Sequence, residues 1–186
     1  MALRILRPDS FRVMPWKNGG GTTTELLILP EGATVAGGFD LRLSRAQVAS
    51  SGPFSPFPGC DRTLLLLQGE GLRVALEDRD GLALERPFEP VVFSGDVPAS
   101  GHLAAGPCED FNVITRRRAL THHLEVLRGP GPFQSGTGRS LNAWFVAQGI
   151  LQGAEAGSLL LAGPGSTEAL QGSPEGLYLR IEVDPA

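Results

Sequence analysis

Three cationic side chains in the first half of the chain, Lys17, Arg42 and Arg62, could bind a small carboxylate. An arginine suits this task because its guanidinium donates two parallel hydrogen bonds to one carboxylate. Amide and hydroxyl groups supply neutral donors and acceptors, and nearby carboxylates could orient the cations or accept from an imidazole or amide N–H. This inventory favours a ligand that combines a carboxylate with a planar or amide tail. The predicted ligand-binding residues are Trp16, Lys17, Asn18, Gly19, Gly20, Glu25, Arg42, Ser44, Phe54, Asp61, Arg62, Asp110 and Asn112.

The most unusual stretch is residues 16–25, which joins Trp16 and Lys17 to three consecutive glycines and Glu25. Three glycines in a row cost backbone entropy, so either the chain path requires positive φ angles or a ligand approaches the backbone closely. Consecutive N–H groups around such glycines can form an anion-binding concavity. A phosphate-binding P-loop is excluded because Lys17 precedes the glycines and the β-branched residues after them predict a strand instead of a helix. The stretch is predicted to form one edge of a barrel mouth, with Trp16 as a ligand wall or as a plug that closes the barrel.

The elements that would position these side chains are short β-strands. Residues 39–44 alternate between apolar and polar, which places Asp40, Arg42 and Ser44 on one face of a strand. A site face and an ordinary solvent-exposed face are both open interpretations of this pattern. Between this strand and the next apolar run, residues 54–60 carry Phe54 and Phe57 in a proline-stiffened loop. That loop is interpreted either as a lid or rim, or as a cap on the core.

Further short strands at regular spacing, with no convincing long helix, predict an all-β sandwich or barrel. Residues 61–68 and 72–76 are expected to pair as a hairpin, and residues 45–50 are considered for one helical turn. Two successive sets of strands indicate two barrel halves: residues 1–118 with the pocket, and a smaller half at residues 119–186, with some strands exchanged between them. The predicted strands are residues 3–7, 11–14, 22–29, 39–44, 61–68, 72–76, 90–93, 101–104, 110–115, 122–127, 141–148, 158–163, 166–170 and 177–183.

Composition excludes several functional classes. The 25 glycines and 15 prolines are scattered, so they punctuate many short elements instead of marking a disordered tail. A formal net charge of −4 argues against nucleic acid or a membrane surface as the main partner. No apolar run approaches the roughly 20 residues of a membrane span, and none resembles a signal peptide, so a cytoplasmic location is expected. Cys60 and Cys108 lack ligand spacing and are interpreted as buried small hydrophobic residues in a reducing compartment.

A combination of motifs occurs along the first two thirds of the chain, at residues 15–25, 42–44, 52–55, 57–63, 93–96, 106–107, 110–112 and 116–117. Together these motifs resemble the HutD/Ves family of bacterial proteins. The resemblance covers roughly residues 1–120 in motif detail and the remainder in strand pattern only.

The resemblance implies a bicupin, in which one chain folds into two cupin β-barrels. It also implies a non-enzymatic role linked to histidine utilisation, namely binding a pathway intermediate such as urocanate or a formylated or formimino glutamate to regulate the pathway. Most cupin enzymes hold a metal through a His-x-His pair, a glutamate and a further histidine. Here His102 stands alone, and His122 and His123 are adjacent, so on a strand they point to opposite faces. Neither a metal, nor a cofactor, nor a catalytic residue is predicted.

Two other functions stay open at this point. A metal-independent isomerase or hydrolase could use a carboxylate near a cation for acid–base chemistry, with Glu25 and Asp61 as the residues to test. An interaction module is the other alternative, in which the second half serves mainly in oligomer formation. The apolar residues 141–146 and 159–161 in that half are compatible with a homodimer.

Overall fold

Almost all regular structure in this chain is antiparallel β-sheet. The computed structural model describes residues 3–77, 79–136 and 138–186. Within these ranges the one helical element is the short 3-10 turn Pro8–Ser10, and no helix is long and apolar enough to cross a membrane. The strands are β1 Arg4–Leu6, β2 Arg12–Pro15, β3 Gly21–Leu29, β4 Leu41–Val48, β5 Gly52–Pro53, β6 Cys60–Gln68, β7 Leu72–Leu76, β8 Arg79–Leu84, β9 Val91–Ser94, β10 Ala99–Leu103, β11 Cys108–Arg116, β12 Leu120–Arg128, β13 Phe133–Gln134, β14 Leu141–Gln148, β15 Ile150–Leu151, β16 Ala154–Glu155, β17 Leu159–Ala162, β18 Ala169–Leu170 and β19 Leu177–Pro185.

The strands form two compact units. One is Arg12–Leu120, and the other joins the N-terminal segment as far as Phe11 to Thr121–Ala186. The first unit contains a six-stranded sheet in the order β2-β3-β4-β11-β6-β9 and a four-stranded sheet in the order β5-β10-β7-β8. The second contains a five-stranded sheet, β1-β17-β14-β19-β12, and the two-stranded ribbons β13-β18 and β15-β16. The division of the chain into two cupin barrels at residue 118 stays a prediction.

The central strands of the six-stranded sheet, β4, β11 and β6, bury a cluster of apolar side chains on one face. Leu41, Leu43, Leu65, Phe111 and Val113 lie there and are all 0% exposed. Because side chains alternate along a strand, the residues between them point to the opposite face of the sheet. That opposite face holds the polar residues of the candidate site.

The glycine-rich stretch forms the turn between β2 and β3. The N–H of Gly19 donates to the carbonyl of Trp16 at 3.0 Å, and the N–H of Trp16 donates to the carbonyl of Gly21 at 2.9 Å. Gly19 has a φ of 71°, a left-handed value that favours glycine. At Gly21 an added Cβ would collide with the backbone carbonyl of Gln47 and with the ring of Trp16. The chain path and close strand packing therefore account for glycine at these two positions.

The second unit has its own core, centred on Trp144 and Tyr178, which are both 0% exposed. Nε1 of Trp144 donates to the carbonyl of Ser135 at 2.8 Å. The hydroxyl of Tyr178 donates to the carbonyl of Ile150 at 2.8 Å and accepts from the N–H of Ser173 at 2.9 Å. Each large aromatic side chain thus buries its apolar body and satisfies its polar end.

The all-β prediction is confirmed, and two local predictions are wrong. Residues 45–50 form no helical turn, because β4 runs through Val48 with Ala46 buried and Gln47 exposed, as alternation in a strand requires. The hairpin of residues 61–68 with 72–76 is absent, because β6 pairs with β11 and β9 whereas β7 pairs with β10 and β8. The apolar run of β6 favours a central strand with neighbours on both sides over one arm of a hairpin.

Candidate functional site

Strand register brings two arginines and several polar residues to one face of the six-stranded sheet. Ile114 on β11 lies opposite Arg42 on β4 and opposite Arg62 on β6. In the next row along the strands, Asn112 lies opposite Ser44. Adjacent strands are about 4.8 Å apart, so the backbones of the two arginines are about 10 Å apart. Their long side chains can therefore converge on one small ligand.

A cavity of about 90 Å³ lies on this face. Pockets for drug-sized ligands usually start at about 300 Å³, so this one suits a small molecule or one end of a larger one. Its lining comes from β3, β4, β6, β11 and two loops, and consists of Trp16, Thr23, Arg42, Ser44, Ala46, Phe54, Ser55, Phe57, Arg62, Asp110, Asn112 and Ile114.

Arg42 is held at the cavity by Glu25. Nε of Arg42 donates to Oε2 of Glu25 at 3.0 Å, and the two side chains are only 8% and 12% exposed. The regular register of β3 with β4 places Glu25 opposite Ser44, next to the arginine, just before a β-bulge between Glu25 and Leu27. Among the described residues no hydrogen-bond partner is found for the Nη groups of Arg42. The outer edge of this guanidinium is therefore free to bind an anion.

Arg62 is a buried cation with no carboxylate within salt-bridge distance in the described part of the chain. Nη2 donates to Oδ1 of Asn112 at 3.0 Å, and Nη1 lies 3.5 Å from the carbonyl of Ser55. Nε is buried and has no partner among the described residues. Burial lowers the pKa of Arg62 to about 10, so the side chain remains positively charged at neutral pH.

Aromatic rings surround Arg62 on several sides. Its Cζ lies 4.9 Å from the ring centre of Phe93, 5.2 Å from that of Phe57 and 5.6 Å from that of Phe54. Ring faces attract a cation, and the attraction grows when the pair is desolvated. These contacts stabilise the positive charge of Arg62 without neutralising it.

Asp110 is a buried carboxyl on the cavity wall, 2% exposed. Its Oδ1 accepts from Nδ2 of Asn112 at 2.8 Å, and its Oδ2 has no hydrogen-bond partner among the described residues. Burial raises the pKa of Asp110 to about 7, against the opposing influence of Arg62 and of the Asn112 hydrogen bond. This carboxyl therefore changes its charge near neutral pH.

The aromatic rim of the cavity is fixed by hydrogen bonds. Nε1 of Trp16 donates to Oγ1 of Thr23 at 2.8 Å, which anchors the indole above β3. In the proline-rich loop, the N–H of Phe54 donates to the carbonyl of Ala99 at 2.9 Å. Phe57 packs edge to face on Phe39, with ring centres 5.9 Å apart. The loop thus lines the cavity and also covers part of the core, so both interpretations of it hold in part.

Seven of the predicted ligand-binding residues line this one cavity, and ligand binding by them stays a prediction. Glu25 lies behind them as the partner of Arg42. The interpretation of Arg42 and Ser44 as a solvent-exposed face is wrong, since they are only 7% and 2% exposed. The seven are Trp16, Arg42, Ser44, Phe54, Arg62, Asp110 and Asn112.

Five predicted residues lie outside the lining, which corrects the expectation that they share the cavity. The side-chain carbonyl of Asn18 accepts from the N–H of Gly20 at 3.0 Å, so this asparagine stabilises the turn. Asp61 neighbours Arg62 on β6 and points to the other face, where it forms an ion pair with Arg117 at 2.9 Å. The five are Lys17, Asn18, Gly19, Gly20 and Asp61.

Five lining residues are absent from the predicted set. Alternation could have found three of them, since Thr23 shares a face with Glu25, Ala46 with Ser44, and Ile114 with Asn112. Ser55 and Phe57 belong to the aromatic loop, and neither has a local sequence signal for its direction. The five are Thr23, Ala46, Ser55, Phe57 and Ile114.

Metal-ligating side chains do not cluster anywhere in the described residues, because no group of three or more His, Cys, Asp or Glu is placed to hold an ion. His102 is exposed, and its Nε2 lies 3.1 Å from the hydroxyl of Ser100. The chemistry available in the cavity therefore comes from its arginines, its carboxyl and its neutral polar groups.

The chain has an all-β, cupin-like fold, which it shares with solved structures only 8% and 13% identical to it. A family model described as HutD matches residues 8–172. This chain belongs to the HutD family, which confirms the resemblance in its motifs.

Three other proteins have a higher sequence identity to this chain. A structure of HutD from Pseudomonas fluorescens SBW25, in a formate condition, is 30% identical, covers 100% of both chains and has a TM-score of 0.81. A conserved protein of unknown function from Pseudomonas aeruginosa PAO1 is 31% identical over 99% of this chain and 100% of that one, with a TM-score of 0.85. An uncharacterised 21.2 kDa protein in the hutC 3′ region of Pseudomonas putida is 37% identical over 127 residues, 68% of this chain. The match spans 65% of that relative's length.

Proposed function

We propose that this chain binds a small carboxylate metabolite without a metal and thereby regulates histidine catabolism. The observation that carries the proposal is the state of Arg62. It is a buried, charged guanidinium that lines a cavity, lacks a carboxylate partner in the described residues and keeps an unpartnered Nε. A buried cation in this state is costly unless an anion pairs with it. A ligand carboxylate would supply that anion.

The size and shape of the site narrow the ligand class. A cavity of about 90 Å³ holds a carboxylate head more readily than a whole drug-sized ligand. Trp16 and Phe54 supply flat apolar walls at the rim, where a planar or amide tail would lie. Urocanate, formylglutamate and formiminoglutamate combine these two features, and the HutD family points to the pathway in which they occur.

The experiment is a calorimetric titration with urocanate, N-formylglutamate and N-formiminoglutamate, with formate as the smallest probe. At least one of these should bind, and Arg62→Met should lower its affinity by about 100-fold or more, as expected for loss of a buried charge pair. Arg117→Met is the matched control, because Arg117 is half exposed and lies outside the cavity. No binding of any probe at millimolar concentration, or equal losses in the two variants, would contradict the proposal.

A second candidate is a metal-independent isomerase or hydrolase that acts on an acidic metabolite. The buried carboxyl of Asp110 favours it, because a pKa of about 7 suits a general acid or base at neutral pH. Incubation of the same three metabolites with the protein, followed by mass spectrometry, separates the two candidates. Turnover that Asp110→Asn abolishes and Arg117→Met preserves would establish the enzyme. Unchanged metabolites that still bind would favour the regulator.

The proposal also includes the arrangement of the chain as two cupin barrels. Each compact unit has its own sheets and its own buried cluster, centred on Ile114 in one and on Trp144 in the other. An interaction role for the second unit, with formation of a homodimer, is the alternative use of that half. Light scattering on the eluting protein measures the oligomeric state, and a strictly monomeric mass would remove the homodimer.

A further inference from the structure

The charged groups at the cavity balance one another before any ligand binds. Arg42 and Arg62 contribute two positive charges, and Glu25 contributes one negative charge. An ionised Asp110 brings the sum to zero. An anion that enters this desolvated space would then leave a net negative charge, which is strongly unfavourable away from water.

We propose that the site binds its anionic ligand together with one proton, which Asp110 takes up. The inference rests on the proposed function and assigns Asp110 as the residue that determines the charge of the complex. With Asp110 neutral, the cavity carries one positive charge, and the single ligand carboxylate that enters the cavity cancels it. The neutral carboxyl also gains an O–H group that can donate to the ligand, whereas the carboxylate can only accept.

The hydrogen bonds of Asn112 keep Asp110 free to play this part. The amide accepts from Arg62 through Oδ1 and donates to Oδ1 of Asp110 through Nδ2, so the neutral group lies between the cation and the carboxyl. A direct ion pair of Arg62 with Asp110 would hold the carboxyl ionised. The intervening amide prevents that pair and leaves Oδ2 of Asp110 without a partner among the described residues.

On β11 itself, two further ionisable groups lie near Asp110, Cys108 and Glu109. Cys108 shares its face, and burial raises the pKa of this thiol to about 11, so it stays neutral. Glu109 is adjacent in sequence, points to the other face and pairs with Arg45 at 3.3 Å. Its negative charge helps to raise the pKa of Asp110.

The strands on either side of Asp110 present uncharged residues directly to it. Ala46 on β4 and Leu66 on β6 are its register partners. Beyond Ala46, Thr23 on β3 is also neutral. The charged side chains that reach the cavity from these strands are Arg42, with its partner Glu25, and Arg62. Among the described residues that line the cavity, Asp110 is thus the carboxyl whose pKa is raised to about 7.

The test is calorimetric titration with N-formylglutamate, whose carboxylates stay ionised between about pH 6 and about pH 9. Affinity should be constant below about pH 7 and fall about tenfold per pH unit above it, the slope for uptake of one proton. Above about pH 7, repeating the titration in two buffers of different ionisation enthalpy should reveal uptake of up to one proton per ligand. Tight binding with equal affinity across this range and no buffer dependence would overturn the inference while leaving the proposed function intact.

Two variants separate Asp110 from its surroundings. Asp110→Asn is permanently neutral, so its affinity should be independent of pH and exceed that of the unmodified protein by about a hundredfold at about pH 9. Glu109→Gln removes a neighbouring charge outside the cavity, so it should keep the slope of one proton while moving the onset of the pH dependence to a lower pH. If Asp110→Asn fails to fold, the proton uptake of the unmodified protein on ligand binding still tests whether a proton enters with the ligand. If N-formylglutamate does not bind at any pH, the inference is wrong and N-formylglutamate is not the ligand. Binding of formate or urocanate would then still support the proposed function.

Discussion

Arg62 on β6 and Asn112 on β11 are diagonal neighbours on adjacent strands, and Nη2 of the arginine donates to Oδ1 of the asparagine at 3.0 Å. Because asparagine is neutral, this bond orients the guanidinium and leaves its charge uncancelled. The rings of Phe54, Phe57 and Phe93 stabilise that charge in the same way. The sheet thus holds a cation rigidly in a place where it has little water and no carboxylate partner among the described residues.

Replacement of Asn112 by leucine should destabilise the fold and weaken ligand binding. Arg62 would lose a side-chain acceptor and Asp110 would lose a donor, both in buried positions. The expected decrease in the free energy of unfolding is about 3 kcal/mol, in the range for a broken buried polar network. Urea denaturation measures this decrease, and calorimetry measures the loss of affinity for N-formylglutamate.

Asn18→Leu provides the control for that experiment. Asn18 is exposed and makes one local hydrogen bond to Gly20, so its loss should cost about 1 kcal/mol or less and leave affinity unchanged. Equal effects of the two substitutions on binding would contradict the placement of the site at Asn112.

Replacement of Glu25 by glutamine should separate the charge of this residue from its orienting role. Glutamine can still accept from Nε of Arg42, but the cavity gains one net positive charge. We expect the free energy of unfolding to fall by about 2 kcal/mol, because a largely buried cation loses its counter-charge. Affinity for N-formylglutamate should rise about threefold or more, because the anion no longer competes with a carboxylate.

Glu25→Ala removes both roles and should lower the affinity below that of the unmodified protein. If both substitutions lower affinity to the same extent, orientation of Arg42 outweighs charge, and the electrostatic account of the cavity is wrong. Calorimetry on the two variants, with urea denaturation to confirm folding, makes the comparison.

The titration of Asp110 should make the protein less stable as pH rises from about 4 to about 7. Its pKa is about 7 in the folded protein and 3.8 as the ordinary value, so the folded state binds the proton more tightly in this window. Stability attributable to this group then falls by about 1.4 kcal/mol per pH unit and is constant above about pH 7. Urea denaturation of the protein and of Asp110→Asn at each pH isolates the effect, because the difference between them removes contributions from other groups. A difference that does not change with pH would contradict the perturbed pKa.

Much of the fold could be predicted from sequence because it depends on local alternation. The polar–apolar pattern of Arg42, Leu43 and Ser44 indicates a strand whatever surrounds it. The same pattern could not distinguish a buried polar face from a solvated one. Polar side chains find hydrogen-bond partners on both faces, among protein groups when buried and in water when exposed. Strand partners also depend on residues that are distant in the sequence. Proximity along the chain favours pairing residues 61–68 with 72–76, whereas β6 pairs with the distant strand β11.

The candidate site was predictable where strands alone place it and unpredictable where loops decide. Arg42, Ser44, Asp110 and Asn112 follow from alternation together with the chemistry of their side chains. Lys17 has the right chemistry but lies in the exposed turn, and no local signal in the sequence gives its direction. Charge alone is therefore a weaker guide to a cavity than charge on a strand between buried neighbours.

Gly19 and Gly21 should differ in how well they tolerate a larger side chain, because only Gly21 is needed for close packing. A methyl group at Gly21 meets the backbone of Gln47 and the ring of Trp16, neither of which can move without shifting β4 or the rim of the cavity. Gly21→Ala should therefore lower the free energy of unfolding by about 2–3 kcal/mol, as overpacking does, and weaken binding through displacement of Trp16. At Gly19 nothing lies within 4 Å of an added Cβ, so Gly19→Ala should cost only about 1 kcal/mol for its left-handed φ and leave binding unchanged. Urea denaturation and calorimetry on both variants decide between this account and an anion-binding glycine concavity, in which the two substitutions would impair binding alike.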